Sequence, residues 1–195
     1  ELDYEVVLKR KQDVVDRLFG GLQRLVRGSG VKLIAGYGRL DGPGRVRIDG
    51  ESSVLEAGNV VIATGSRPQT LPGIPTDGRW IVDSDQALDL DHVPRSVVIL
   101  GAGAVGTEFA SFYRDVGAEV TLVELLPSVL PLEDRDVSQL LGRHLAGRGV
   151  RVMTATTAIL PSVHRAEGGV ELDVRTGDST THLAAECLLV AVGRQ

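Results

Sequence analysis

The sequence predicts an α/β fold in which a parallel sheet is combined with antiparallel β-meanders. Three observations support this fold class. An apolar run, a glycine-rich turn, a helical pattern and a second apolar run follow each other between residues 95 and 124. Short alternating runs separated by glycines recur in both halves of the chain, and two apolar runs end in glycine at residues 65 and 193. A helix between two buried strands is the usual connection in a parallel sheet.

The central stretch begins with the β-branched-rich run 97–100, which is typical of a strand buried on both faces. Glycines follow at G-x-G-x-x-G spacing, at positions 101, 103 and 106. Apolar residues then recur at helical period up to Val116, and Gly117 predicts the end of the helix. A second strand, 120–123, ends on the acid Glu124.

This order of elements favours dinucleotide binding. The first glycine permits a tight strand-to-helix turn, the second lets the backbone approach a pyrophosphate, and the third lets the helix pack close to the strand. The helix N-terminus offers free N–H groups to phosphates. Glu124, about 20 residues beyond the glycines, can accept hydrogen bonds from a ribose 2′-hydroxyl.

Glu124 also predicts which dinucleotide binds. A carboxylate at this position would repel the 2′-phosphate of NADP(H). The residues that follow it, Leu125, Leu126 and Pro127, offer no arginine to receive that phosphate. The sequence therefore favours NAD(H) over NADP(H).

Composition excludes several other classes. The net charge is −5 and the chain has no basic run, so the sequence does not predict a nucleic-acid-binding surface. No apolar run reaches the ~18 residues that a membrane span needs. The chain starts without a signal-type segment, so we expect a cytoplasmic protein. A single cysteine, Cys187, excludes a Cys-pair redox centre within the chain and is interpreted as a small buried hydrophobe. The four histidines lack metal-ligand spacing, so no metal site is predicted.

Patterns along the rest of the chain predict further elements. Helices are expected over 2–27, with a bend at Gly20 and Gly21, over 84–90, and after a cap at Asp134. Strands are expected at 31–35, 45–48, 53–55, 60–63, 150–153 and 187–192, and a second meander at 158–163, 170–175 and 181–183.

A sequence pattern that occurs twice in the chain indicates the domain organisation. Residues 60–67, Val-Val-Ile-Ala-Thr-Gly-Ser-Arg, resemble residues 188–194, Leu-Leu-Val-Ala-Val-Gly-Arg. The glycine turn at 101 has no counterpart at the same interval before residue 65. We therefore predict a complete dinucleotide-binding module at 93–195, preceded at 1–92 by the back half of a second one. A chance match of two glycine-ended strands is the alternative.

Several motifs together resemble the two-dinucleotide-binding-domain flavoproteins that act on disulfides, and among them the dihydrolipoamide dehydrogenases. They are Gly36-Tyr-Gly38, Ala63-Thr-Gly-Ser-Arg-Pro68, Leu71-Pro-Gly-Ile74, Gly101 to Glu108, Val123-Glu124, Val129-Leu-Pro131 with Asp134 and Asp136, and Val190-Ala-Val-Gly-Arg194. The resemblance implies a Rossmann-like fold with one module complete and one partial. It also implies FAD and NAD as cofactors.

The resemblance further implies which residues bind them. Those expected at NAD are Gly101, Ala102, Gly103, Ala104, Val105, Gly106, Thr107, Glu108, Glu124, Thr157 and Gly193, and those expected at FAD are Gly38, Thr64, Gly65 and Ser66. In the family, Glu108 would pair with a lysine beside the flavin, which this chain lacks. A carboxylate that merely favours a helix N-terminus is the alternative.

The family's first glycine motif, its Cys-x4-Cys pair and its C-terminal interface domain with a His-Glu base are also missing. We therefore expect part of an enzyme that oxidises dihydrolipoamide with NAD⁺, contributes to redox homeostasis, forms homodimers and meets a lipoamide-bearing carrier. No catalytic residue is assigned within the chain, which alone is expected to be inactive. Mercuric reductase, glutathione reductase, a pyridine nucleotide transhydrogenase and a non-catalytic NAD-binding module remain alternatives.

Overall fold

A computed structural model describes residues 3–50 and 53–195. Contacts within the chain divide it into two compact units. One comprises residues 9–65, and the other combines residues 3–8 with residues 66–195. Each unit is built from different elements, described in turn.

The smaller unit contains most of helix α1 (Tyr4–Gly28) and a three-stranded antiparallel meander. The helix runs through Gly20 and Gly21, and the predicted first residue, Leu2, lies outside the described residues. The meander consists of β1 (Gly38–Leu40), β2 (Arg45–Ile48) and β3 (Val54–Glu56) in sequential order. The sequence predicted β2 and β3 but not β1.

The larger unit contains a five-stranded parallel sheet and a four-stranded antiparallel sheet. Its elements begin with β4 (Ile81–Asp83), α2 (Ser84–Ala87), β5 (Ser96–Leu100), α3 (Ala104–Asp115), β6 (Glu119–Val123), α4 (Arg135–Gly147) and β7 (Arg151–Met153). The antiparallel sheet is formed by β8 (Thr156–Ala158), β9 (His164–Ala166), β10 (Gly169–Thr176) and β11 (Ser179–Ala185), with a 3₁₀ turn at Leu160–Ser162. Strand β12 (Cys187–Val190) returns to the parallel sheet, whose order is β4-β12-β5-β6-β7.

The parallel sheet is covered on both faces, because its strands alternate between two apolar clusters. Val97 and Ile99 of β5 join one cluster with Tyr113 of α3 and Leu145 of α4. Val98 and Leu100 join the other, with Val170, Leu172 and Val174 of β10. The larger unit therefore has helices on one face of the sheet and the antiparallel sheet on the other, and its central strands β5 and β12 are almost entirely apolar for that reason.

Short capping interactions fix the edge strand β4 and the helices beside the sheet. The Ile81 N–H donates to Asp77 Oδ1 at 3.0 Å, and the Asp77 N–H donates to the Ile81 carbonyl at 2.8 Å. Asp83 and Gln86 form a capping box at α2, in which the Asp83 N–H donates to Gln86 Oε1 at 3.1 Å. At α4, Asp134 Oδ1 accepts the Asp136 N–H at 2.9 Å, as the predicted cap requires.

Three predicted strands are wrong. Of the strand expected at 158–163, only Ala158 lies in a strand, and Leu160–Ser162 form a 3₁₀ turn. Residues 31–35 and 60–63 form no strand, and their side chains are mostly exposed, including Val61 at 87%. A strand that is buried in a sheet needs a hydrogen-bonded strand on each side. Among the described residues, no strand pairs with either of these segments. Strand β4 was missed, and the helix predicted over 84–90 is confined to Ser84–Ala87. Among the described residues, none of the helices combines the length and apolar character needed to cross a bilayer.

Candidate functional site

A cleft of about 790 Å³ opens at the carboxyl ends of β5, β6 and β12. Parallel α/β sheets bind ligands at this edge, outside the carboxyl ends of the strands. Its volume is within the usual range for small-molecule and cofactor sites. Its walls come from the glycine turn, the segment after β6, strand β8 and the segment after β12. All of these elements belong to the larger unit.

The glycines of the turn differ in what surrounds them. Gly101 has φ +100°, and a Cβ there would lie 2.5 Å from the Ala191 carbonyl oxygen. A Cβ on Gly106 would lie 1.9 Å from the Gly101 carbonyl oxygen, so this glycine permits the close packing of α3 on the turn. Gly103 has open space where its Cβ would be, and it lines the cleft. Only Gly103 therefore leaves room for a ligand to approach the backbone.

Helix α3 begins at this open glycine. Gly103 is its N-cap and provides no side-chain hydrogen bond to the first turn. The Gly103 carbonyl accepts the Thr107 N–H at 3.0 Å and the Thr107 hydroxyl at 2.9 Å. The N–H groups of the first helical turn are thus free of a side-chain cap and carry the positive end of the helix dipole. An anionic phosphate fits this arrangement.

The Glu124 carboxylate lies beside the turn, with the residue only 8% exposed. Its Oε2 accepts the Ala102 N–H at 2.6 Å, and its Oε1 accepts the Leu126 N–H at 2.8 Å. The backbone of Glu124 is fixed as well, because its N–H donates to the Met153 carbonyl at 2.8 Å and its carbonyl accepts the Thr156 N–H at 2.9 Å. Each carboxylate oxygen retains acceptor capacity, since an ionised carboxylate offers about four lone-pair sites.

The structure brings most of the residues expected at NAD to one place. Those that line the cleft are Gly101, Gly103, Ala104, Val105, Glu124, Thr157 and Gly193. Ala102 is buried beneath the turn, and Gly106 and Thr107 are buried in the first turn of α3. Glu108 is exposed on α3 and does not line the cleft.

The residues expected at FAD are divided between the two units. Gly38 lies in β1, and Thr64 and Gly65 lie in the irregular end of the smaller unit, all three exposed. Ser66 belongs to the larger unit, where its hydroxyl and carbonyl both accept hydrogen bonds from Arg194. None of the four lines the cleft.

Sequence reasoning missed four polar residues of the cleft, Ser84, Glu133, Thr156 and Arg194. Ser84 follows β4, the strand that was not predicted. Arg194 follows β12, and its position after a glycine-ended strand was the only available signal. Cys187 is confirmed as a buried hydrophobe, because it is only 1% exposed, and this burial raises the pKa of its thiol to about 12. A thiol with that pKa provides almost no thiolate for nucleophilic chemistry at neutral pH.

Comparison with known proteins places these observations in context. The chain is 41% identical over 200 residues to dihydrolipoyl dehydrogenase 3 of Pseudomonas aeruginosa and 33% identical over 205 residues to dihydrolipoyl dehydrogenase of Bacillus subtilis. All of this chain is covered, but only 42% and 43% of those relatives. The chain thus spans about two fifths of the length of the relatives it matches.

Solved structures of related proteins have the same fold as this chain. LpdA from Mycobacterium tuberculosis superposes with a TM-score of 0.84 at 30% identity, over all of this chain and 43% of that one. The Escherichia coli protein described as the HOCl-induced flavoprotein disulfide reductase RclA superposes with a TM-score of 0.78 at 28% identity, again over 43% of its chain. The expected α/β fold class is confirmed by these neighbours.

A family match covers residues 2–195, and its description is pyridine nucleotide-disulphide oxidoreductase. The two cofactor classes that the resemblance implied both occur in these descriptions, a pyridine nucleotide in the family's and a flavin in that of RclA. Part of the motifs that carried the resemblance, namely the glycine turn, Glu124 and the segment after β12, lines the cleft. The chain therefore belongs to the pyridine nucleotide-disulphide oxidoreductase family.

Proposed function

We propose that the cleft of the larger unit binds NAD(H), with the diphosphate at the N-terminus of α3. The observation that carries this proposal is the combination of an uncapped helix start, an open Gly103 and a buried carboxylate around one cleft. A diphosphate would accept hydrogen bonds from the backbone N–H groups in the first turn of α3, where the helix dipole favours negative charge. A Cβ at Gly103 would occupy the space the diphosphate needs.

Glu124 would hold the adenosine ribose. Its two carboxylate oxygens already accept hydrogen bonds from the N–H groups of Ala102 and Leu126. These hydrogen bonds fix the carboxylate at the cleft wall. The remaining lone pairs can accept the ribose hydroxyls. A 2′-phosphate at the same place would meet a buried negative charge, so we propose a preference for NAD(H) over NADP(H).

The order of the strands predicts where the other half of the dinucleotide lies. Glu124 follows β6, the glycine turn follows β5, and β12 and β4 come next in the sheet. A dinucleotide whose adenosine lies over β6 and whose diphosphate lies over β5 extends its nicotinamide half toward the ends of β12 and β4. Gly193, after β12, lines the cleft on this side. Thr157 lines it too and is retained in the proposed site.

For the whole protein we propose a flavin-dependent, NAD-linked oxidoreductase that acts on dihydrolipoamide. The names of the curated relatives and the flavoprotein neighbours support this reading. When bound, the nicotinamide supplies a hydride donor or acceptor, and this chain's residues would bind and orient it. Residues 93–195 are proposed as the NAD-binding domain and residues 1–92 as part of an FAD-binding domain that includes Gly38, Thr64, Gly65 and Ser66. A cytoplasmic homodimer with a lipoamide-bearing partner completes the proposal.

Titration of the purified chain with NADH and with NADPH tests the nucleotide site. We expect saturable binding of NADH, followed by fluorescence or calorimetry, and binding of NADPH at least about tenfold weaker, equivalent to 1.4 kcal/mol or more. Equal affinities would contradict the role of Glu124, and no binding of either would contradict the site itself. A separate assay of dihydrolipoamide oxidation is expected to detect no turnover by this chain alone.

A further inference from the structure

Arg194 joins three parts of the larger unit through one guanidinium group. Its Nε donates to Ser66 Oγ at 2.9 Å, and its Nη2 donates to the Ser66 carbonyl at 2.9 Å. Its Nη1 donates to Asp85 Oδ1 at 2.9 Å and to Ser84 Oγ at 3.3 Å. Arg194 itself follows β12, so the side chain connects the end of that strand to the start of α2 and to residue 66.

Backbone hydrogen bonds hold the same segments together. The Arg67 and Gln195 backbones exchange N–H···O bonds at 2.8 and 2.9 Å, and the Gln69 N–H donates to the Gly193 carbonyl at 2.9 Å. Pro68 and Arg194 form an antiparallel bridge. The backbone at Gly193 (φ +126°) is therefore fixed both by its own hydrogen bond and by the side chain of the next residue, Arg194.

The strand order places this cluster at one end of the cleft. Arg194 follows β12, and Ser84 and Asp85 follow β4, whereas the glycine turn and Glu124 follow β5 and β6. Adjacent strands are about 4.8 Å apart, so the Arg194 cluster is displaced from Glu124 by two or more strand spacings. Both Arg194 and Ser84 line the cleft.

We infer that Arg194 is a positioning residue for the nicotinamide half of the bound dinucleotide. It fixes Gly193 and Ser84 in the lining of the cleft, while the adenosine and diphosphate are held by the separate set around Glu124. The inference rests on the proposed NAD(H) site. It adds that affinity is divided between two groups of residues, one for each half of the ligand.

The requirement for arginine follows from its partners. The ion pair with Asp85 is solvent-exposed, with side chains 36% and 60% accessible, and such a pair alone contributes little. The planar guanidinium instead engages Ser66 through two nitrogens and α2 through the third. A lysine ammonium carries its three N–H donors on a single nitrogen, so it cannot span Ser66 and α2 as the guanidinium does.

The test compares NADH with ADP, which keeps the adenosine and diphosphate but lacks the nicotinamide half. Calorimetry would measure both ligands on the wild-type chain, Arg194→Met, Arg194→Lys and the control Arg95→Met. Arg95 also forms a surface ion pair, with Glu186 at 3.0 Å, but it precedes β5 and lies at the opposite edge of the sheet. Ser66→Ala removes the hydroxyl acceptor and Asp85→Asn removes the charge that Arg194 pairs with, and both cover the case in which Arg194→Met fails to fold.

Arg194→Met is expected to weaken NADH binding about tenfold, on the scale of losing hydrogen bonds to a charged group, and to leave ADP binding within about twofold. Arg194→Lys should recover little, Arg95→Met should match the wild type, and Ser66→Ala and Asp85→Asn should show smaller losses for NADH only. Equal losses for NADH and ADP, or unchanged NADH binding, would overturn the inference. Absence of NADH binding by the wild type would instead defeat the proposed function.

Discussion

Gly103 and Gly106 belong to the same turn, yet a methyl group added to each would meet different surroundings. At Gly103 it would meet open space, and at Gly106 it would meet the Gly101 carbonyl oxygen. The first position therefore concerns the ligand and the second concerns the fold. The two alanine substitutions separate these contributions within a single loop.

Gly103→Ala is expected to change the free energy of unfolding by less than about 1 kcal/mol, because its φ of −72° suits alanine and no atom blocks the methyl group. NADH affinity should fall at least about tenfold, or 1.4 kcal/mol. Gly106→Ala is expected to lower the free energy of unfolding by about 1–3 kcal/mol or more, because it overpacks the turn. Urea unfolding and NADH titration measure the two quantities, and a destabilised Gly103→Ala with intact binding would contradict this assignment.

Glu124→Gln tests the ribose contact. The carboxamide keeps the size of the side chain, but one of its ends is a donor and would face the Ala102 N–H or the Leu126 N–H. NADH affinity is expected to fall by about 1.5–3 kcal/mol, and the preference for NADH over NADPH to narrow. Glu119→Gln is the matched control, because Glu119 is exposed at the opposite end of the same strand. Titration of each variant with NADH and with NADPH measures both affinities. An unchanged ratio of the NADH and NADPH affinities in Glu124→Gln would exclude Glu124 from ribose recognition.

At this scale the sequence predicted positions better than contacts. The glycine spacing identified Gly101, Gly103 and Gly106, and Glu124 was identified as the closing acid. The hydrogen bonds of Glu124 to the turn were not predictable, because they depend on how β6 is aligned with β5. Arg194 was missed because its partners at Ser66 and Asp85 are more than 100 residues away in sequence.

Among the elements, α4 shows how a cap fixes a helix boundary. Asp134→Ala removes the acceptor of the Asp136 N–H and is expected to lower the free energy of unfolding by about 0.5–2 kcal/mol. Asp134→Ser, which can still cap, should restore most of this loss. Chemical unfolding of both variants provides the measurement. If serine were as destabilising as alanine, the capping explanation would be wrong.

Elements were predictable where local pattern and tertiary surroundings agree. The run β5-α3-β6 was anticipated because its strands are covered on both faces and its helix begins and ends at glycines. Residues 31–35 and 60–63 are also rich in apolar residues, but they have no paired neighbours among the described residues. Strand β4 was missed because three residues are too few to show a period.

At the scale of the whole molecule, the paired carboxylates predict how stability depends on pH. Burial tends to raise the pKa of Glu186, but hydrogen bonds from the Arg95 backbone and side chain, with the nearby charges, lower it below its ordinary value of 4.5. A lowered folded-state pKa contributes stability that is present above the ordinary value and is lost as pH falls through the folded-state value.

The free energy of unfolding is therefore expected to fall below pH 4.5, and to fall less steeply in Glu186→Gln than in the wild type. Arg95→Met should shift the curve in the same direction by a smaller amount, because the Arg95 backbone N–H remains. Urea midpoints measured between pH 3 and pH 7 would show the difference. Parallel curves for wild type and Glu186→Gln would rule out this contribution.

The capping interactions around β4 have a consequence for how the molecule meets its neighbours. An edge strand with free amides invites another chain to add itself to the sheet, which is a common start of aggregation. Here the Ile81 N–H and carbonyl are both occupied by Asp77, and the Asp83 N–H is occupied by Gln86. The strand thus offers an incoming polypeptide few unpaired groups, so Asp77 and Gln86 protect this edge of the sheet against self-association.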